Sequence, residues 1–280
     1  LIINVKVIGE NSGTGNTLKN IFSEYPNENL FQLCLDEKNN RNQDTIKNTI
    51  YTGNKSFPID WLFRYMINKF KNKKISQNVG VSNTLPSAIV SKSIKYSIHD
   101  FIRGFLDMSF IHFDKHILNA IDKFSPDVIY TCGTSIRNFK TVNFFSKRYN
   151  IQNIIHIMDD WPETTYTASA LSIFARRTLE KNLKKALNHS AINFGISEAL
   201  SDKYESIYRK RFIPLMNPVS RVVDSYKSQN QEPIKLVYAG ALTLNRWKSI
   251  IEVAKIIKEL NHETEIVNLE IYIPALTREN

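Results

Sequence analysis

The chain has 280 residues, 42% of them hydrophobic, with a mean hydropathy of −0.30, an ordinary globular composition with room for one large domain or two smaller ones. No apolar run reaches the roughly 18 residues that a membrane-spanning helix needs, and two distant cysteines, Cys34 and Cys132, argue against a disulfide framework and for a reducing cytoplasm. The 37 Lys and Arg against 27 Asp and Glu leave a net charge of +10, which favours anionic partners: phosphorylated small molecules, acidic lipid or nucleic acid.

Strand and helix signals alternate along the chain, the pattern of an α/β fold with a mainly parallel sheet. Leu1–Gly9 lacks the basic leader and cleavage site of a secretory peptide and reads as a first strand. A small-residue turn at Asn11–Gly15 follows, then a helix over about Asn16–Glu24 and a strand at Leu30–Leu35. Between Asp44 and Lys123 the pattern is less regular, with helical spacing at Pro58–Lys71 and Ser87–Asp107. The clearest stretch comes next. It predicts strands at Asp127–Thr131, Asn153–Met158, Ala191–Gly195 and Phe212–Met216, and helices at Arg137–Tyr149, Thr165–Leu187 and Glu198–Tyr208. A polar segment near Ser220–Pro233 breaks the rhythm. Beyond it a strand (Ile234–Tyr238), a turn (Ala239–Asn245), a helix (Arg246–Leu260) and a strand (Leu269–Ile273) restart it. The expected organisation is an N-terminal Rossmann-like domain over residues 1–216, a linker over 217–233 and part of a second domain over 234–280. So small a second core predicts that the chain is truncated.

Four places carry candidate chemistry. The turn from Gly9 to Thr17 fails as a phosphate loop, because Asn16 stands where lysine is needed. It fails as a dinucleotide fingerprint too, because Leu18 follows Gly13 and Gly15 where a third glycine belongs. What survives is a flexible turn whose N–H groups face an anion or a sugar hydroxyl, or else a plain strand–helix turn. His156-Ile157-Met158-Asp159-Asp160-Trp161-Pro162 ends a strand. Two carboxylates, a histidine and an indole there suit a carbohydrate, with a helix cap as the plainer alternative. Adjacent acids diverge along an extended strand, so Asp159 and Asp160 do not make a metal pair. His112 and His116 lack the third ligand that zinc requires, and no metal is expected. Arg246 and Lys248, beside Gly240 and at a helix start, suit a diphosphate cradle, with solvated surface charges as the plainer alternative; cations there oppose the helix dipole unless an anion is expected. Finally, Trp61–Lys74 interleaves aromatics with cations, and Thr165–Leu187 carries Arg176, Arg177, Lys181, Lys184 and Lys185. Such stretches are solvated basic faces or contacts to an anionic membrane surface, with nucleic acid the weakest alternative.

Taken in order, GTGNT (Gly13–Thr17), PDVIY (Pro126–Tyr130), HIMDDWP (His156–Pro162), INFGISEAL (Ile192–Leu200), MNPVS (Met216–Ser220) and YAGALTLNRWKSI (Tyr238–Ile250) resemble the glycosyltransferase family 4-like group of GT-B enzymes. The resemblance spans nearly the whole chain. It implies two Rossmann-like domains, an acceptor domain first and a nucleotide-sugar domain second. The transfer it implies takes place between them and without a bound metal or other cofactor. Carried over residue by residue, it implies that Gly13 and Gly15 face the acceptor and phosphate and that His156 lies near the transferred sugar. Asp159, Asp160 and Trp161 contact acceptor or sugar, Ser197 and Glu198 begin a helix facing the site, and Asn217 opens the crossing between domains. Gly240, Arg246 and Lys248 hold the leaving diphosphate. The spaced glutamate pair that such enzymes carry later in the second domain is not found before Asn280.

The expected reaction is transfer from a nucleotide-sugar to a sugar, polysaccharide or lipid-linked acceptor in bacterial polysaccharide or glycolipid synthesis. Retention of anomeric configuration is expected, with Asp159 or Asp160 as base should the enzyme invert. The expected setting is cytoplasmic, peripheral at the inner membrane face. Two alternatives stand beside it: a GT-B-type nucleotide-sugar epimerase and a non-catalytic sugar- or nucleotide-binding module.

Overall fold

The computed structural model describes residues 1–5, 8, 13–35, 46–52, 56, 59, 98, 100–167, 172–218, 233–242 and 246–273. The chain divides into two compact units, Leu1–Ser220 and Arg221–Asn280.

The first unit is an α/β domain of Rossmann-like kind. Its strands are β1 (Ile2–Asn4), β2 (Gln32–Cys34), β3 (Thr49–Tyr51), β4 (Ile129–Thr131), β5 (Asn153–Ile157), β6 (Ser190–Gly195) and β7 (Ile213–Pro214). They form a seven-stranded sheet in the order β3-β2-β1-β4-β5-β6-β7, with every neighbouring pair parallel. From β1 the chain builds outward to β3, then returns to β4 and builds the other way. The reversal falls between β1 and β4, so their carboxyl ends flank the topological switch point, where open sheets of this kind bind ligands.

The helices follow from caps and apolar spacing. They are α1 (Gly13–Ile21), α2 (Lys115–Phe124), α3 (Ile136–Tyr149), the single turn α4 (Trp161–Thr164), α5 (Ile173–Asn188) and α6 (Glu198–Tyr208), with a further helical stretch through 100–108. Asp114, Ser135 and Ser197 each accept an N–H of the first turn behind them, and Ser125, Asn150 and Arg209 end the same helices in the left-handed region. One sheet face carries Ile3, Leu33, Ile129, Ile155 and Ile157, packed with Phe139 and Phe145 of α3 and Leu179 and Leu183 of α5. The other carries Ile2, Tyr130 and Cys132, packed with Leu18 of α1.

Several expectations need correction. The helix after the first strand begins at Gly13 rather than near Asn16, so the glycines belong to its first turn and are not a loop. Thr17 Oγ1 donates to the Gly13 carbonyl at 3.0 Å, inside that turn. The long helix expected over Thr165–Leu187 is broken. After α4, Tyr166 takes a left-handed conformation, φ 57°, and α5 starts only at Ile173. Strand β3 and helix α2 were not anticipated from sequence. The segments Pro58–Lys71 and 87–97 lie outside the described residues, apart from Ile59.

The second unit pairs β8 (Ile234–Ala239) with β9 (Val267–Tyr272), parallel over all six residues, around α7 (Arg246–Leu260). Asn261 clasps the start of β9. Its Oδ1 accepts the Ile266 and Val267 N–H groups at 2.9 and 3.0 Å, and its Nδ2 donates to the Val267 carbonyl at 2.7 Å.

Candidate functional site

The carboxyl edge of the seven-stranded sheet gathers most of the sequence-predicted residues of the first unit: Gly13 and Gly15 behind β1, Asp159 to Trp161 behind β5, and Ser197 and Glu198 behind β6. What each can do there differs from one to the next.

His156 is wholly buried on β5, and both ring nitrogens are engaged. Nε2 lies 3.1 Å from the Leu215 carbonyl and Nδ1 2.6 Å from the Tyr130 hydroxyl. A carbonyl only accepts, so Nε2 carries the proton and Nδ1 takes the tyrosine's. Burial lowers the imidazole from 6.5 to about 4, which keeps it neutral, and pushes the Tyr130 phenol well above its ordinary range. His156 is therefore a tie between β4, β5 and the segment after β7, with no nitrogen left for a substrate.

The two aspartates part company. Asp160 meets Lys203 Nζ at 2.7 and 2.9 Å and accepts the Tyr204 hydroxyl, both from α6, and these partners hold its carboxyl below the usual range. Asp159 is exposed and takes a single local bond, from the Asp160 N–H at 2.8 Å. Of the two, Asp159 is the carboxylate open to a ligand. Trp161 is turned inward at 6% exposure, stacked on Phe139 with centroids 5.5 Å apart. The indole expected to face a sugar is part of the core, although its buried Nε1–H has no partner.

Ser197 caps α6 by accepting the Leu200 N–H at 3.2 Å, while Glu198 points outward in the first turn. Asn217, exposed, accepts the Asn20 side-chain amide at 2.9 Å and so ties the end of this unit back to α1. In the second unit, Arg246 and Lys248 fall in the first turn of α7 and are exposed, with Lys248 Nζ 5.8 Å from the centre of the Trp247 ring. Gly240 ends β8 by donating to the Tyr272 carbonyl at 2.9 Å. His112 and His116 are exposed, and no group of three metal-binding side chains occurs among the described residues. Among those residues, too, no helix is long and apolar enough to cross a membrane.

Sequence reading missed the residues nearest the switch point. Asn4, at the end of β1, accepts the Cys132 N–H through Oδ1 at 2.9 Å. That bond fixes the amide's orientation and turns its buried Nδ2 toward the Cys132 thiol, which it helps to hold. Asn138, in the first turn of α3, buries an unpartnered Nδ2, while its Oδ1 accepts Ser135 Oγ–H at 3.0 Å. Gly133 makes this possible: a Cβ there would lie 2.5 Å from that of Asn138. Gly195 does the same for α6, since its Cβ would meet Ser201 Oγ, another buried atom with no partner, at 2.5 Å. Unpaired buried polar atoms are costly; Asn138 Nδ2 and Ser201 Oγ lie behind β4 and β6 at this edge, while both side-chain polar atoms of Asn153 lie at the amino end of β5. The signal lay in the small residues after β4, Cys132-Gly133-Thr134-Ser135, which lack charge and so went unread.

No protein-family model matches this chain, and no curated protein matches it.

Proposed function

We propose that this chain is a glycosyltransferase of GT-B type that moves a sugar from a nucleotide-sugar to a carbohydrate or lipid-linked acceptor. The observation that carries the reading is the doubly wound sheet, whose carboxyl edge collects an open carboxylate, Asp159, together with the buried amides of Asn4 and Asn138, the latter with an unpartnered Nδ2. Neutral amides and one carboxylate suit hydroxyl groups, which both donate and accept. The second unit adds Arg246 and Lys248 at the start of α7, where a cation pair and the helix dipole together favour a diphosphate.

In the step proposed, the acceptor oxygen bonds to the anomeric carbon as the sugar–phosphate bond breaks. The electron pair leaves with the nucleoside diphosphate, where Arg246 and Lys248 offset the growing charge. In an inverting reaction the acceptor proton passes to Asp159; in a retaining one it passes to the departing phosphate oxygen. His156 has no part in it, and Asp160 acts by holding α6 through Lys203 and Tyr204.

The test follows nucleoside diphosphate release from uridine and guanosine diphosphate sugars in the presence of sugar acceptors. Arg246→Ala is expected to lower turnover by about 100-fold or more, and Asp159→Asn to do so only if the product is inverted. Binding of a nucleoside diphosphate with no turnover would make the chain a binding module. If calorimetry detects no nucleotide binding at all, the reading fails.

A further inference from the structure

The turn between β4 and α3 is tightly held, yet its donors outnumber its acceptors. The Cys132 N–H goes to Asn4 Oδ1 and the Gly133 N–H to Thr131 Oγ1, each at 2.9 Å, so two side chains fix the path out of the strand. Ser135 then caps α3: its Oγ accepts the Asn138 N–H at 3.3 Å and donates to Asn138 Oδ1 at 3.0 Å. With Oδ1 committed, the amide presents Nδ2 as a donor. Asn138 is 0% exposed, and that donor has no partner. A Cβ on Gly133 would stand 3.0 Å from it, so the amide faces the turn that leads into the helix.

Other donors at this helix start are open as well. Thr134, half-buried, spends neither its hydroxyl nor its N–H on a partner among the described residues. The Ile136 N–H has a long contact, 3.5 Å to the Tyr166 hydroxyl, whose own proton goes to Asp107. Asp107 does not complement the helix, because Arg137 Nε holds it at 2.8 Å and Arg103 Nε lies 3.8 Å away. No acid stands in the first turn of α3. A helix of 14 residues thus opens on N–H and O–H donors at the switch point, where its dipole favours an anion. A buried donor is costly to leave bare, and an acceptor held at the turn relieves it.

We propose that the start of α3 is a subsite for a phosphate monoester, and that the ligand it anchors is a sugar phosphate. The terminal oxygens of a phosphate accept, which matches a set made of donors: the Thr134 N–H and hydroxyl and Asn138 Nδ2. The sugar follows from the neighbouring strand. β4 and β5 pair directly, and the turn behind β5 carries Asp159, the open carboxylate that suits ring hydroxyls. Phosphate on one turn and ring on the next describe a phosphorylated monosaccharide. Its role as acceptor rests on the glycosyl-transfer reading; the phosphate subsite does not.

The experiment titrates the full chain, without nucleotide, with inorganic phosphate, glucose-6-phosphate and glucose. Calorimetry and the nuclear magnetic resonance signals of the Asn138 side-chain amide follow binding. The sugar phosphate is expected to bind with a Kd of about 1 mM or tighter. Inorganic phosphate is expected to compete less tightly, and glucose to bind at least about tenfold more weakly. The Asn138 amide signals move with both phosphates. Thr134→Asp sets a fixed carboxylate at the site; it is expected to leave the melting temperature unchanged or raised and to weaken sugar-phosphate binding about tenfold or more. Thr134→Val is expected to weaken it about fivefold. The proposal is overturned if neither phosphate binds at about 10 mM, if Thr134→Asp binds as the parent does, or if the Asn138 signals stay in place. Inorganic phosphate binding as tightly as the sugar phosphate overturns the sugar assignment. Sugar-phosphate binding with no transfer from a nucleotide-sugar supports the subsite and fails the transfer reading alone.

Discussion

Strands β5 and β8 look alike as sequence and behave as opposites in the fold. Asn153–Ile157 and Ile234–Ala239 are both short apolar runs that precede a turn and a helix. Within the first unit, β5 has a parallel neighbour on each side, and Ile155 and Ile157 are buried under α3 and α5. Within the second, β8 has one neighbour, and all its residues but Tyr238 are exposed; α7 has no buried residue either. Apolar alternation makes a strand, but burial depends on how many layers the chain builds around it. The same contrast separates the charges. In the first unit Asp107 and Asp160 are held by Arg137 and Lys203, whereas Arg246 and Lys248 in the second stand open to solvent.

That contrast is sharpest for core truncation. Leu183→Ala, at 1% exposure in α5, is expected to cost about 3 kcal/mol or more by cavity formation, while Leu236→Ala on β8, at 43%, costs less than about 1 kcal/mol. Denaturant titration followed by circular dichroism measures both. Equal losses would mean that β8 is covered by something in solution.

The next effect concerns His156. The unfolded imidazole titrates near 6.5 and the folded one near about 4, so the folded state binds fewer protons between these values. Its contribution is full above pH 6.5, declines as pH falls and is gone below about pH 4. The size is on the order of 3 kcal/mol. His156→Gln is expected to flatten that part of the stability–pH curve. An unchanged slope would show that the histidine is not buried against Tyr130 and Leu215.

The smallest effect is at Asp160. A double-mutant cycle between Asp160→Asn and Lys203→Met is expected to give a coupling below about 1 kcal/mol, because both side chains are more than a third exposed. A coupling of several kcal/mol would place the pair in a drier setting than this one.

Much of the fold was legible in the residues. Helix α6 and helix α7 fall on the predicted residues, and α3 starts one residue earlier, because Ser caps and regular apolar spacing are local signals. Strand β3 was not, since Thr49–Tyr51 is three residues long and half-buried, too short to show alternation. The break before α5 is a different matter: Tyr166 has a positive φ, and its hydroxyl reaches Asp107, a contact 59 residues away in sequence that no local pattern reports. The candidate site was read less well. His156, Asp160 and Trp161 were singled out for their chemistry, yet that chemistry is consumed by Tyr130, Leu215, Lys203, Tyr204 and Phe139.

By itself the sequence determined the alternation of strands and helices, the pause after the first unit and the cationic start of α7, since each rests on neighbours within a few positions. Only the tertiary structure decided the strand order, the switch point beside Asn4 and Gly133, and which of two adjacent aspartates stays open. Those depend on contacts between residues far apart in the chain, where a side chain's partners, and not its type, decide what it is free to do.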